Sequence, residues 1–229
     1  MPAHAASLPA DDVRAPAPGA AGHAPRILIT GFGRFPGAPA NPSGPLARAL
    51  ARSRRLGAAR AETLVLPTLW DEAARFAQTL DRLDPDIVLM VGLAGRRSRV
   101  SIETLGRCAT GLFPDAGRRR PAARRLAAGG AAPDVIGCAA AGAPLLHALR
   151  QSGVPASGSR DAGRYVCNAL AYTAYGWARR TGRIAVFVHI PRPRPGRLSA
   201  SRIETGLEAV LVALLAQHRA GRLTAAPGR

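Results

Sequence analysis

Ile87-Val-Leu-Met-Val91, closed by Gly92, is the stretch on which the fold turns. Five consecutive apolar residues leave no polar face, so they read as a strand covered on both sides, as in a parallel sheet. Asp84-Pro85-Asp86 breaks the chain just ahead of it. Three similar runs lie around it: Arg26-Ile-Leu-Ile-Thr30 before Gly31, Thr63-Leu-Val-Leu-Pro67, and Ile184-Ala-Val-Phe-Val188 before His189. Helical spacing fills the gaps. Asn41-Pro42-Ser43 opens a helix through about Arg52, with Asn41 as cap and Pro42 in the first turn. Leu69 to Leu83 places Leu69, Ala73, Phe76 and Leu80 on one face. Pro144 to Ser152 and Arg164 to Arg180 read as further helices, and Ser199 to Arg219 as an amphipathic closing helix. Arg99 to Thr104 alternates like a half-exposed strand. Strands alternating with helices predict an α/β fold, a three-layer α/β/α sandwich around a mostly parallel twisted sheet.

The chain of 229 residues suffices for one sizeable domain. The expected organisation is a disordered Ala/Pro-rich tail over 1–25 and a single domain over 26–229. That domain contains an irregular Arg-rich loop near 104–133, long enough to be functional or disordered. No apolar run approaches the ~20 residues of a membrane span, and the first residues lack a secretory pattern. Cys108, Cys138 and Cys167 form no CxxC pair. These features lead us to expect a cytoplasmic protein with free thiols and no metal or cofactor. The net charge of +18 invites nucleic acid. All 32 basic residues are Arg, however, amid abundant Ala, Gly and Pro, a pattern that suits coding bias. Aromatics are scarce and no base-stacking motif appears. Non-specific adhesion to polyanions is expected, specific nucleic-acid binding is not, and a homo-oligomer stays open.

In such sheets ligands bind at the carboxyl ends of the strands. Gly31–Phe35, Gly92–Arg96 and His189 all fall there. Cys167, in Asp161-Ala-Gly-Arg-Tyr-Val-Cys-Asn168, stands where a turn enters a helix, and unpaired N–H groups there favour a thiolate. Cys108 and Cys138 read as small buried hydrophobes. Glu103 ends a strand that should be largely buried and needs a partner. An imidazolium at His189 and an ion pair with an arginine fit about equally.

These blocks resemble the pyroglutamyl-peptidase I (pyrrolidone-carboxylate peptidase) family of cysteine peptidases. Thr30-Gly-Phe-Gly-Arg-Phe-Pro-Gly37 with Asn41-Pro-Ser43 is similar to its "TGFxPFGG…NPS" segment. Val91-Gly-Leu-Ala-Gly-Arg96 with Ile102-Glu103 is similar to its "VGxAGxR…(V/I)ER" block, Asp161–Asn168 to "(T/S)AGxxVCN", and Phe187-Val-His-Ile-Pro191 to "F(I/V)H(I/V)P". All four blocks keep family order, from about Arg26 to the closing helix. The resemblance implies a phosphorylase/hydrolase-like α/β/α fold and removal of N-terminal pyroglutamate, or a related lactam or acyl cap, from peptides with a blocked N-terminus. It makes Cys167 the nucleophile, His189 the base and Glu103 its orienter. It places Phe35, Thr68, Leu93, Phe113, Tyr165 and Val166 around the substrate, with Phe35 and Tyr165 holding the ring and backbone near Leu93 bonding the lactam amide.

Four departures stand out. Glu103-Thr-Leu-Gly-Arg-Cys108 replaces "ERVAIN", Leu93 replaces a Gln, and Asp161 replaces a small hydroxyl residue. Gly111-Leu-Phe-Pro-Asp115 matches "ARIPD" with one residue deleted, which puts Leu112 where an oxyanion-binding Arg belongs and makes Arg107 the nearest replacement. The alternative reading is a divergent or non-catalytic family member that binds peptides or polyanions.

Overall fold

A computed structural model describes residues 23–35, 37–127 and 132–224. The tail expected over 1–25 lies outside them as far as residue 22. Its last residues are tied down: Pro25 O accepts from Arg60 N at 2.8 Å, and His23 Nε2 is 3.3 Å from Asp86 Oδ2.

The elements in chain order are β1 (Arg26–Phe32), α1 (Ser43–Ala51), β2 (Arg60–Leu66), α2 (Trp70–Leu83), β3 (Ile87–Leu93), β4 (Val100–Glu103), β5 (Leu105–Arg107), β6 (Val135–Gly137), α3 (Gly142–Gln151), β7 (Ala156–Ser159), α4 (Val166–Thr181), β8 (Ile184–Ile190) and α5 (Ala200–Thr224). Six strands form one sheet in the order β2-β1-β3-β8-β4-β7. All neighbours are parallel except β4 and β8. The expected α/β/α sandwich with a mostly parallel sheet is therefore what the chain forms.

Side-chain alternation sorts the core into two layers. Ile27, Ile29, Ile87, Leu89, Val91, Val186 and Val188 pack with α1, α3 and α5. Leu28, Val88, Met90, Ala185 and Phe187 face the other way, against Trp70, Phe76 and Leu80 of α2 and Leu170, Tyr175 and Trp177 of α4. Each fully buried Val, Leu, Ile, Met or Phe side chain among these contributes about 1.5–3 kcal/mol. The alternation also places the chemistry. His189 shares the face of Ala185 and Phe187. Glu103 lies opposite to Val100 and Ile102, which pack in the first layer. Both therefore look toward α4, which carries Cys167.

Local chemistry sets the boundaries. Asp71 and Glu72 open α2 and Arg82 closes it, matching the helix dipole. Asp115, far along the chain, accepts the otherwise unpaired Trp70 N–H at 3.1 Å. Pro42, rather than Asn41, is the cap of α1, yet Asn41 Oδ1 still accepts the Ser43 N–H at 3.1 Å. Gly31 is required by close approach, since a Cβ there would lie 2.4 Å from Ser43 O. At the amino edge of the sheet, buried Asp86 accepts from Arg26 N at 2.8 Å and from the Arg183 guanidinium. It thereby joins the starts of β1, β3 and β8.

One expectation needs correction. β4 is not half exposed: all four of its residues are buried, with Val100 and Ile102 in the first core layer, Ser101 and Glu103 on the face toward α4, and β7 paired along its outer edge. Within the irregular segment after Glu103, β5 pairs antiparallel with β6 and lies along α4. There Asn168 accepts Arg107 N and donates to Arg107 O and Ala109 O, all at 2.9 Å. The strand β7 escaped notice entirely. No helix among the described residues is long and apolar enough to cross a membrane.

Candidate active site

β3 and β8 run in register with Gly92 opposite His189, and β8 meets β4 with Ser101 opposite His189 and Glu103 opposite Phe187. Glu103 is thus the diagonal cross-strand neighbour of His189 on one face, within side-chain reach. The contact is made: His189 Nδ1 lies 2.7 Å from Glu103 Oε1. Glu103 is fully buried and His189 nearly so. Gly92 makes the room, because a Cβ there would stand 2.7 Å from Phe187 Cζ and 3.3 Å from His189 Cδ2. From α4, the Tyr175 hydroxyl donates to Glu103 O at 2.6 Å and accepts from Phe187 N at 3.1 Å, which clamps β4 to β8.

Both partners weighed for Glu103 are present. Arg97, on the turn after β3, donates Nη1 to Glu103 Oε1 at 2.5 Å and Nη2 to Asp161 O at 2.8 Å. Burial opposes ionisation of Glu103, but the bonds to His189, Ser159 and Arg97 and the charge of His189 together hold its carboxyl below the usual carboxylate range. A locked carboxylate on Nδ1 fixes the ring with Nε2 free for chemistry. Sequence reasoning missed Arg97; the signal was the carboxylate's need for a cation, obscured by the number of arginines nearby.

Cys167 is the second residue of α4, whose cap Tyr165 offers no side-chain bond to the helix start. The first-turn N–H groups lack intrahelical carbonyl partners, and that of Cys167 bonds its own thiol. The structure joins Glu103 to His189, but Cys167 makes no hydrogen bond to His189. Cys167 is half-buried; burial first, and the charge of Glu103 second, push its thiol up to about 12, against its own N–H and the charge of Arg97, and so oppose the thiolate expected from the helix start. The helix start, worth about 0.3–2 kcal/mol at most, is outweighed.

The other thiols lie among apolar residues as expected: Cys108 is buried, and Cys138 packs against both core layers. Cys138 is half-buried and donates to Ala185 O at 3.1 Å, and burial pushes its thiol up to about 11. Burial works against the Cys108 thiolate, but backbone bonds from Ala127 and Leu126, the Tyr172 hydroxyl and the charge of Arg125 hold that thiol below its ordinary value.

The residues expected around the substrate divide into two groups. Tyr165 stacks edge-on against Trp70 at 5.4 Å and donates to Pro114 O at 3.0 Å, which ties the 112–115 segment to the start of α4. Val166 and Thr68 are buried. Phe35 is half-buried in a tight turn with Ala38, and Leu93 ends β3 beside Ile190. Phe113 is 74% exposed and Leu112 60%, so neither belongs to a packed wall. Arg107, the replacement weighed for the missing guanidinium, donates Nη2 to Arg160 O at 3.2 Å.

The family model described as "Pyroglutamyl peptidase" matches residues 25–214. The chain is 35% identical to pyrrolidone-carboxylate peptidase 1 of Ralstonia nicotianae, over 73% of this chain and 78% of that protein. It is 33% identical to the pyrrolidone-carboxylate peptidase of Chromobacterium violaceum, over 72% and 77%. The crystal structure of Bacillus amyloliquefaciens pyroglutamyl peptidase I superposes with a TM-score of 0.75 at 25% identity, covering 85% of this chain and 98% of that one.

Proposed function

The chain belongs to the pyroglutamyl peptidase family, a cysteine-type exopeptidase that removes N-terminal pyroglutamate, and we propose that Cys167, His189 and Glu103 carry that reaction here. The observation that supports these roles best is the buried 2.7 Å contact between Glu103 and His189 on the sheet face that looks toward the first turn of α4.

In this reading Cys167 Sγ attacks the carbonyl carbon of the pyroglutamyl peptide bond while His189 Nε2 takes the thiol proton. Because the resting thiol is held up at about 12, proton transfer accompanies attack instead of preceding it. The tetrahedral oxyanion meets the free N–H groups at the start of α4. His189 then gives its proton to the departing amine, leaving a thioester on Cys167. Water, deprotonated by the same imidazole, releases pyroglutamate and restores the thiol. Glu103 stabilises the imidazolium in each half, and Arg97 keeps Glu103 ionised. Phe35, Tyr165, Val166, Thr68 and the backbone near Leu93 surround the lactam ring, with Phe113 closing over it from its exposed segment.

The experiment is turnover of a fluorogenic pyroglutamyl amide by the wild type, by the iodoacetamide-treated protein and by Cys167→Ser. The reading requires release by the first and loss in the other two. Undiminished release by a folded Cys167→Ser variant overturns the assignment.

A further inference from the structure

An exopeptidase encloses the terminal residue of its substrate, and the following residues leave over the rim of the site. Here that rim is basic. Arg192, three residues beyond His189, is exposed, and its Nη2 donates to Gly37 O at 3.4 Å. The same guanidinium stands 3.7–3.9 Å from where a Gly95 Cβ would be. It therefore spans the loop after β1, which carries Phe35, and the loop after β3, which begins at Ala94. Arg34 and Arg96 are exposed on those two loops, and Arg164 is exposed three residues before Cys167. Among the described residues, none of these four arginines forms an ion pair.

The nearby carboxylates do not cancel this charge. Glu103 is buried against Arg97 and His189. Asp115 is buried and accepts the N–H groups of Trp70, Gly117 and Arg119. Asp161 remains exposed, with Oδ1 on Gly163 N at 3.0 Å. Asp71, half exposed beside Trp70, is already paired with Arg119 at 2.6 Å, so exposed guanidinium groups outnumber free carboxylates on these loops and a peptide leaving the site crosses a positive field.

Resting on the catalytic reading above, we propose that this peptidase prefers pyroglutamyl peptides whose next residues are acidic, and that Arg192 is the residue that chiefly sets this preference. The guanidinium is a bidentate donor suited to a carboxylate. Its hold on Gly37 O is long enough to be surrendered to a substrate.

The test compares kcat/KM for pyroglutamyl peptides continuing with Asp-Asp, Ser-Ser or Arg-Arg. The wild type should favour the acidic over the neutral peptide by roughly tenfold at about 0.1 M salt and the neutral over the basic, with the ratios shrinking toward one near 1 M. Arg192→Ala should cut the acidic preference to about a third or less, and Arg192→Lys should retain part of it because the charge remains. Arg54→Ala, exposed at the opposite edge of the sheet, should leave the ratio as it is. Equal kcat/KM on all three peptides, with the neutral one turned over normally, overturns the preference and leaves the catalytic reading standing. A preference that survives Arg192→Ala overturns the role of Arg192. If none of the three is hydrolysed, the catalytic reading itself fails and takes the preference with it.

Discussion

Arg97 holds Glu103 at 2.5 Å through Oε1, the oxygen that also faces His189 Nδ1. One fully buried carboxylate oxygen thus serves a partly exposed cation and a buried imidazole together. The arrangement lets the protein keep a charge in its core, because the desolvation cost is offset on two sides.

Arg97→Met removes one of those offsets. Glu103 then titrates at higher pH, so the acid limb of the kcat/KM profile moves upward. The fold loses about 1–3 kcal/mol from leaving a buried acceptor short of a donor. Both are measurable, by a pH–rate profile and by denaturant unfolding. An unmoved acid limb in a destabilised variant makes Arg97 a purely structural partner.

The substrate-free protein should react with iodoacetamide at Cys167 progressively faster as pH rises. A thiol held up at about 12 gains thiolate about tenfold per pH unit below that value. Alkylation should climb without a plateau from pH 6 to about pH 9. A plateau below pH 7 means a preformed thiolate.

By the family resemblance Leu112 stands where an oxyanion-binding Arg is expected, and it is open to solvent. Losing one such donor costs about 10²–10³ in turnover. Leu112→Arg should therefore raise kcat on a pyroglutamyl amide at least about tenfold, while Arg107→Ala, whose guanidinium is engaged by Arg160 O, should change little. Loss of activity in Arg107→Ala with no gain from Leu112→Arg identifies Arg107 as the donor.

Burial disfavours the Asp86 carboxylate, yet the Arg26 N–H and the charge of Arg183 hold its pKa below the ordinary value. A folded pKa below the unfolded one, near 3.9, gives stability that is present above about pH 4 and lost as pH falls through the folded pKa. The Tm should drop steeply as pH falls below about 4, and Asp86→Asn, less stable at neutral pH, should show a shallower drop. Parallel curves for the two proteins contradict this.

Most of the sheet and all three proposed catalytic residues were legible because their signals are local. Apolar runs such as Ile87–Val91 name their own strand, and four ordered motifs mark the site. What escaped has non-local causes. Ala156-Ser-Gly-Ser159 has no strand pattern and becomes β7 only by pairing with β4. β5 and β6 are three residues each and exist as a pair held by Asn168. Arg97 could not be told from its neighbours Arg96 and Arg99 until folding aimed it at Glu103. The influences opposing the Cys167 thiolate were hidden for the same reason, since a helix start is visible in sequence while burial and a nearby carboxylate are not.

The central claim is that Cys167 forms the acyl-enzyme with His189 and Glu103 driving it. It is tested most directly by acid-quenching the protein during turnover of an activated pyroglutamyl ester and mapping the adduct by mass spectrometry. A pyroglutamyl thioester is expected on the peptide containing Cys167. In Glu103→Gln the same adduct should form about 10²–10⁴-fold more slowly, with KM little changed. An adduct on Cys108 or Cys138 that accumulates at the rate of turnover, or unchanged acylation in a folded Glu103→Gln variant, would contradict it.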